Sequence, residues 1–155
     1  MKKFICGLLA AVLMLALCAG CGAKEPEKEP AFPATETVQT LLGSGAFSEE
    51  LEELEPLLLF PLAGDAELYK GSVLYYSTGA TAEAAAVIAV RDAEQVDETE
   101  AALRAWLDGQ IEAERDYRPA EAAKLENAIL EARGNSVLLV VAADYEKAQA
   151  AIPEK

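Results

Sequence analysis

Apolar and polar positions change period several times along the chain, and each change predicts an element. Ser72 to Ser77, SVLYYS, and Glu83 to Val90, EAAAVIAV, are β-rich apolar runs on either side of the turn Thr78-Gly79-Ala80-Thr81. They read as an antiparallel pair. From Gln95 to Tyr117 the period becomes helical, with Val96, Thr99, Leu103, Trp106, Leu107, Gln110 and Ile111 recurring at three and four. That spacing predicts an amphipathic helix with Trp106 anchored in the core and Glu100 paired to Arg104 on its wet side. Pro119 restarts the helix after Arg118. Asn127 to Arg133 and Ser136 to Ala143 are strand-like, and Gly134-Asn135 between them signals a tight turn. The second run, SVLLVVAA, is apolar on both faces, so it belongs in the middle of a sheet. Asp144 then caps a last helix from Tyr145 to Ile152, ended by Pro153.

Upstream the pattern is weaker. Thr35 to Leu42 begins a short helix that Gly43-Ser44-Gly45 ends. Phe47 to Leu54 mixes Leu51 and Leu54 with Glu49, Glu50, Glu52 and Glu53, with Glu55 just beyond, and reads as a solvated face. Pro56 to Leu62, PLLLFPL, reads as a short buried helix or turn. The fold class expected is α+β, an antiparallel sheet of four to five strands with helices packed on one face. The order strand, strand, helix recurs over Ser72 to Trp106 and Asn127 to Ile152, a ββα–ββα plan, although the letters do not repeat. A single domain over residues 35–152 is expected, with 153–155 as a tail.

The first twenty residues follow a different logic. Met1-Lys2-Lys3 is followed by an uncharged apolar run from Phe4 to Ala19, the layout of a signal peptide over residues 1–20. The run is short for a membrane span, which needs about 20 apolar residues. Its end, Cys18-Ala19-Gly20-Cys21, resembles a bacterial lipobox, in which small residues precede a cysteine that is lipidated and becomes the first residue after cleavage. The resemblance implies cleavage between Gly20 and Cys21 and lipidation of Cys21. Cys18 stands where that pattern has a common apolar residue. A redox or zinc reading of the two cysteines needs a folded strand-to-helix context that a signal-like run does not supply. Residues 21–34 are then the lipidated cysteine and a tether, since Gly22 to Pro33 carries three prolines among alternating charges.

Composition narrows the partners. The net charge is −14, which argues against nucleic acid and against adhesion to an anionic lipid surface. All three cysteines fall within the first 21 residues, so the folded part has no disulfide, and the absence of histidine removes the commonest general base and nitrogen ligand. No metal site, cofactor or catalytic residue is assigned. The expected attachment is to the membrane through a lipid on Cys21.

Beyond the lipobox and tether, the stretches LYKGSVLYYSTGATAEAAAVIAV and YRPAEAAKLENAILEARGNSVLLVVAADYEKA resemble the domain of unknown function 4358 lipoproteins of Gram-positive bacteria. The likeness rests on Gly79-Ala80-Thr81-Ala82-Glu83 before a strand, on Tyr117-x-Pro119, and on Gly134 followed by an apolar strand and Asp144. Members often carry a second acid after the one matched by Glu83, where this chain has Ala84. The resemblance implies location and fold and supplies no activity. The expected function is a lipoprotein on the extracytoplasmic face of the cell membrane, with a non-catalytic domain that binds an envelope protein or small solute. Tyr76 and Glu83 are the candidate binding residues: of two adjacent tyrosines on a strand one faces outward, and Glu83 closes the motif. Two other readings stay open, a hydrolase using carboxylates such as Glu83, Asp144 or Glu131, and a structural accessory subunit of an envelope complex.

Overall fold

The computed structural model describes residues 31–154. Gly20 and Cys21, with the expected signal peptide and most of the tether, lie outside the described residues. In chain order the elements are α1 (Ala34–Gly43), β1 (Glu52–Glu53), α2 (Pro56–Leu59), a 3-10 turn (Ala66–Tyr69), β2 (Val73–Tyr76), β3 (Ala84–Ala89), α3 (Gln95–Glu114), α4 (Pro119–Glu126), β4 (Ile129–Arg133), β5 (Ser136–Val141) and α5 (Tyr145–Ala151). The strands form one antiparallel sheet in the order β1-β2-β3-β5-β4. The class is α+β, as the sequence pattern indicates.

The centre of the sheet is the pairing of β3 with β5, running from Ala84↔Val141 to Ala89↔Ser136. Every residue of β5 is buried, and β3 is buried from Ala84 to Ile88. Side chains alternate between faces. Ala84, Ala86 and Ile88 therefore share one face with Val137, Leu139 and Val141, beneath Val96, Leu103, Trp106 and Leu107 of α3 and Leu125 of α4. Phe60 meets Trp106 edge-on there, with ring centroids 5.1 Å apart. Ala85 and Val87 share the other face with Leu138 and Val140, beneath Val38 and Leu41 of α1 and Ala148 of α5.

The helices thus cover both faces, where the sequence reading places them on one. Strands that are apolar at every position need an apolar cover above and below, and α3 with α4 and α1 with α5 supply the two. The ββα plan is present in order, with α4 inserted before β4, but α3 and α5 pack on opposite faces. The two units are therefore not related by a simple rotation.

The β4–β5 hairpin turns at Gly134, whose φ of 55° is the left-handed value required at the first central position of a type II′ turn. Asn135 locks it against the end of β3: its carbonyl accepts from the Val90 amide at 2.9 Å, and its Nδ2 donates to the Val90 carbonyl at 2.9 Å. Both ends of the folded chain gather near this turn. Phe32 is buried, its amide donates to Ser136 Oγ at 2.9 Å, and its ring lies 4.3 Å beneath the Arg133 guanidinium. Arg133 also donates to the Pro153 carbonyl at 2.8 Å. Packing in the domain therefore reaches back to Phe32, inside the stretch read as tether; a lone aromatic among prolines gives no periodic signal of burial.

Candidate functional site

The opposite end of the sheet carries the β2–β3 loop, and the charged side chains gather there. Glu83, one residue before β3, has no solvent exposure. A buried carboxylate is tolerated only with partners, and Glu83 has three bonds: from the Ser48 amide at 2.8 Å, the Ser48 hydroxyl at 2.5 Å, and Lys124 Nζ at 2.8 Å. Lys124 sits on α4 one turn after Glu121 and pairs with it as well, at 3.0 Å. Glu121 also accepts from the Ala82 amide at 2.8 Å. Burial opposes the charge on Lys124, but the hydrogen bonds and charges of Glu83 and Glu121 outweigh it and hold its pKa above the usual lysine value.

A second pair flanks the first. Pro119 opens α4 and leaves Arg118 at the joint with α3. From there the guanidinium grips Glu114 through two bonds, of 2.6 and 2.5 Å, and its third nitrogen donates to the Ala80 carbonyl. The hydrogen bonds from Arg118 keep the Glu114 carboxyl below the ordinary range. Glu49 completes the ring of acids around the loop, accepting from the Ser77 hydroxyl and, at 2.6 Å, from the Thr81 hydroxyl. Those bonds, Ser77 first, lower its pKa. Gly79 leaves room for it: a Cβ on Gly79 would lie 2.7 Å from Glu49 Oε2, the oxygen beside the Oε1 that takes the Ser77 and Thr81 hydroxyls, so a larger residue there would push the carboxylate aside.

The segments Gly79 to Glu83 and Tyr117 to Pro119, far apart in sequence, therefore meet at one end of the sheet. Tyr76 lies beside them on β2, half-buried; burial raises its phenol pKa, while Arg118 pulls it down and Glu114 pushes it up. Tyr75 faces the other side, where Gln39 Nε2 donates to its hydroxyl at 3.4 Å. Tyr117 is the most exposed large side chain of the group, at 84%. The acids considered for hydrolysis are not gathered. Glu83 is enclosed, Asp144 caps α5 and pairs with Lys147 at 3.0 Å, and Glu131 pairs with Arg133 at 2.8 Å. As built, Glu83 positions Ser48 and Lys124 and has no surface on which to meet a substrate. Among the described residues, no three Cys, His, Asp or Glu side chains are placed to hold a metal ion.

Ser48, Glu49, Glu121 and Lys124 are the residues that sequence reasoning passed over. Glu121 and Lys124 carry a weak signal, an acid and a base three apart on a helix. Ser48 and Glu49 carry none, being two polar letters in a polar run. Two shallow clefts lie elsewhere, toward the start of β2, of about 220 Å³ around Pro56, Tyr69 and Gly71 and about 250 Å³ around Leu54, Pro56 and Val73.

No curated protein and no solved structure matches the chain. A family model, described as a domain of unknown function (DUF4358), matches residues 65–142. That span runs from the 3-10 turn through the end of β5 and contains the β2–β3 loop, Arg118, Glu121 and Lys124. The chain belongs to the DUF4358 family.

Proposed function

We propose that this chain is a membrane-anchored lipoprotein on the extracytoplasmic face, whose domain is a non-catalytic binding module for an envelope protein or small solute. The N-terminal letters support the anchor: a basic start, an uncharged apolar run and Ala19-Gly20-Cys21. Two acyl chains on Cys21 hold a protein stably, each buried methylene contributing about 0.8 kcal/mol.

The placement of the two ends of the sheet is the observation that carries the binding reading. Phe32, where the tether joins the domain, packs against Arg133 and Ser136 beside the β4–β5 turn. The loop with its ring of acids and the exposed Tyr117 lies at the other end. On an anchored chain, residues Gly22 to Ala31 give a reach of about 30 Å, and the loop end points away from the lipid. Its charges are tied to fixed partners, which suits a preorganised surface better than proton transfer.

Crosslinking in live cells with mass spectrometry tests this, with Cys21→Ser as the unanchored control. Adducts on Tyr117 or the 77–83 loop that depend on Cys21 support the reading. A chain that stays with the membrane after Cys21→Ser, or that gives no adduct and no thermal shift with any solute, counts against it.

A further inference from the structure

The connection 55–72 joins β1 to β2 at the end of the sheet where Phe32 packs. Ser72 Oγ accepts from the Ala89 amide at 2.9 Å and donates to the Ala89 carbonyl at 3.2 Å. Ala89 pairs with Ser136, whose Oγ receives the Phe32 amide. Ser72, Ala89, Ser136 and Phe32 thus form one row across that end. Pro56 shares the 250 Å³ cleft with Ser72 and Val73, and Arg91, two residues past β3, donates to the Glu67 carbonyl at 3.3 Å. Both halves of the connection are therefore fixed beside the row.

Its first half is apolar on the outside as well as on the inside. Pro56 to Leu62 carries no charge and no polar side chain. Phe60 is buried against Trp106, and Leu57, Leu59, Leu62 and Leu68 pack on the same cluster while staying partly exposed. Leu58 is 75% exposed, the only large aliphatic side chain left so open among the described residues, and Pro61 is exposed near it. A lone exposed leucine is ordinary, whereas one that continues a half-exposed apolar group marks a contact surface. Charge does not mark it: Glu55, Asp65 and Glu67 in the same connection outnumber Lys70, with Arg91 alongside.

We propose that the surface formed by Leu57, Leu58, Leu59, Pro61 and Leu62 is a lipid contact, which seats this end of the domain on the boundary between headgroups and hydrocarbon in the bilayer that holds Cys21. The occupant follows from where the chain leaves the described structure. Phe32 belongs to the same row as the 55–72 connection, and only Gly22 to Ala31, a reach of about 30 Å at most, separates it from the anchor. The leucines therefore face the bilayer at close range, and a partner held at the β2–β3 loop leaves them uncovered. Contact of this kind gains from buried apolar area and not from basic side chains. The acids beside it set the choice of lipid, zwitterionic headgroups over anionic ones. The inference rests on the anchor in the reading above. Its test installs that anchor chemically, so a missing lipid contact and a missing cellular anchor give separate results.

The probe is a phosphatidylcholine vesicle carrying a maleimide lipid. The chain from Cys21 onward contains every described residue and has Cys21 as its only thiol, so it couples to the vesicle at that position alone. A diazirine side chain replaces Leu58 in one protein and Ala80, at the opposite end of the sheet, in another; Pro61 takes the diazirine if the Leu58 protein loses its fold. Lipid adducts are counted by mass spectrometry after illumination. They should be about tenfold more abundant from position 58 than from position 80, the factor that partial burial of one leucine supplies. Exchanging half of the phosphatidylcholine for phosphatidylglycerol should lower the adduct at position 58 severalfold. The proposal is overturned if the folded protein gives no more lipid adduct from position 58 or 61 than from position 80. It is also overturned if phosphatidylglycerol raises the adduct, since charge rather than apolar contact would then hold the surface to the lipid.

Discussion

Replacing Lys124 with methionine removes the charge that Glu83 depends on while keeping a side chain of similar length. Glu83 has no exposure, and the Lys124 side chain keeps only 19% of its own, so water replaces the ammonium group only in part. Two of the three bonds to Glu83 survive, both from Ser48. Breaking one side of a buried pair costs about 3–5 kcal/mol; the partial exposure of Lys124 and the remaining Ser48 bonds put this case near the lower end, about 3 kcal/mol. For a domain of this size that corresponds to a fall in Tm of about 10 °C. Urea denaturation followed by circular dichroism measures it, with an unchanged slope required for the comparison. The double variant Glu83→Gln/Lys124→Met should recover at least half of the loss, because the uncompensated charge is gone. A cost below about 1 kcal/mol for Lys124→Met, or no recovery in the double variant, would refute the reasoning and make the pair an ordinary surface bridge.

Other consequences follow from single side chains. Glu49 has a lowered pKa in the fold, so its hold on the loop is complete above the ordinary value of 4.5 and is lost as pH falls through the lowered one. Hydrogen exchange at residues 77–82 should therefore speed up in acid before the amides of β5 do, and Glu49→Gln should give the same fast exchange at neutral pH; simultaneous loss at both places contradicts this. Thr37 is fully buried on α1 and, among the described residues, its hydroxyl has no hydrogen-bond partner. Thr37→Val should raise stability by about 1 kcal/mol, and a measured loss would mean that the hydroxyl is satisfied in solution. Phe32→Ala should cost about 3 kcal/mol, and a chain beginning at Thr35 should melt lower than one beginning at Ala31. Equal melting would return Phe32 to the tether.

The parts of the fold legible in the letters are those whose signal is local. β5 announces itself as SVLLVV, Gly134 marks its turn, and Val96 to Ile111 carry a helical stripe with Trp106 inside it. The same letters held a clue to the second helical layer, since strands apolar on both faces need two covers, and only the count of faces separates the expectation from the structure. β1 was not legible: Glu52 and Glu53 have poor strand propensity, and their place is set by the edge of β2 and by Leu51 beneath them. Glu83 stands out in the letters as the acid that closes the Gly79–Glu83 motif and a candidate binding residue, but its partners Ser48 and Lys124 lie 35 and 41 residues away. No spacing rule reaches that far, so the ring of acids became visible only when the sheet brought its end loops together.

In the proposed arrangement an anchored chain presents its β2–β3 loop to a partner and its β4–β5 turn to the membrane. A photo-crosslinking side chain placed at Ala80, and separately at Asn135, in live cells tests it most directly. Both positions are exposed and lie at opposite ends of the sheet. A protein adduct is expected from Ala80 that disappears with Cys21→Ser, and lipid or no adduct from Asn135. A protein adduct from Asn135 alone, or adducts from Ala80 that are unchanged by Cys21→Ser, would contradict it.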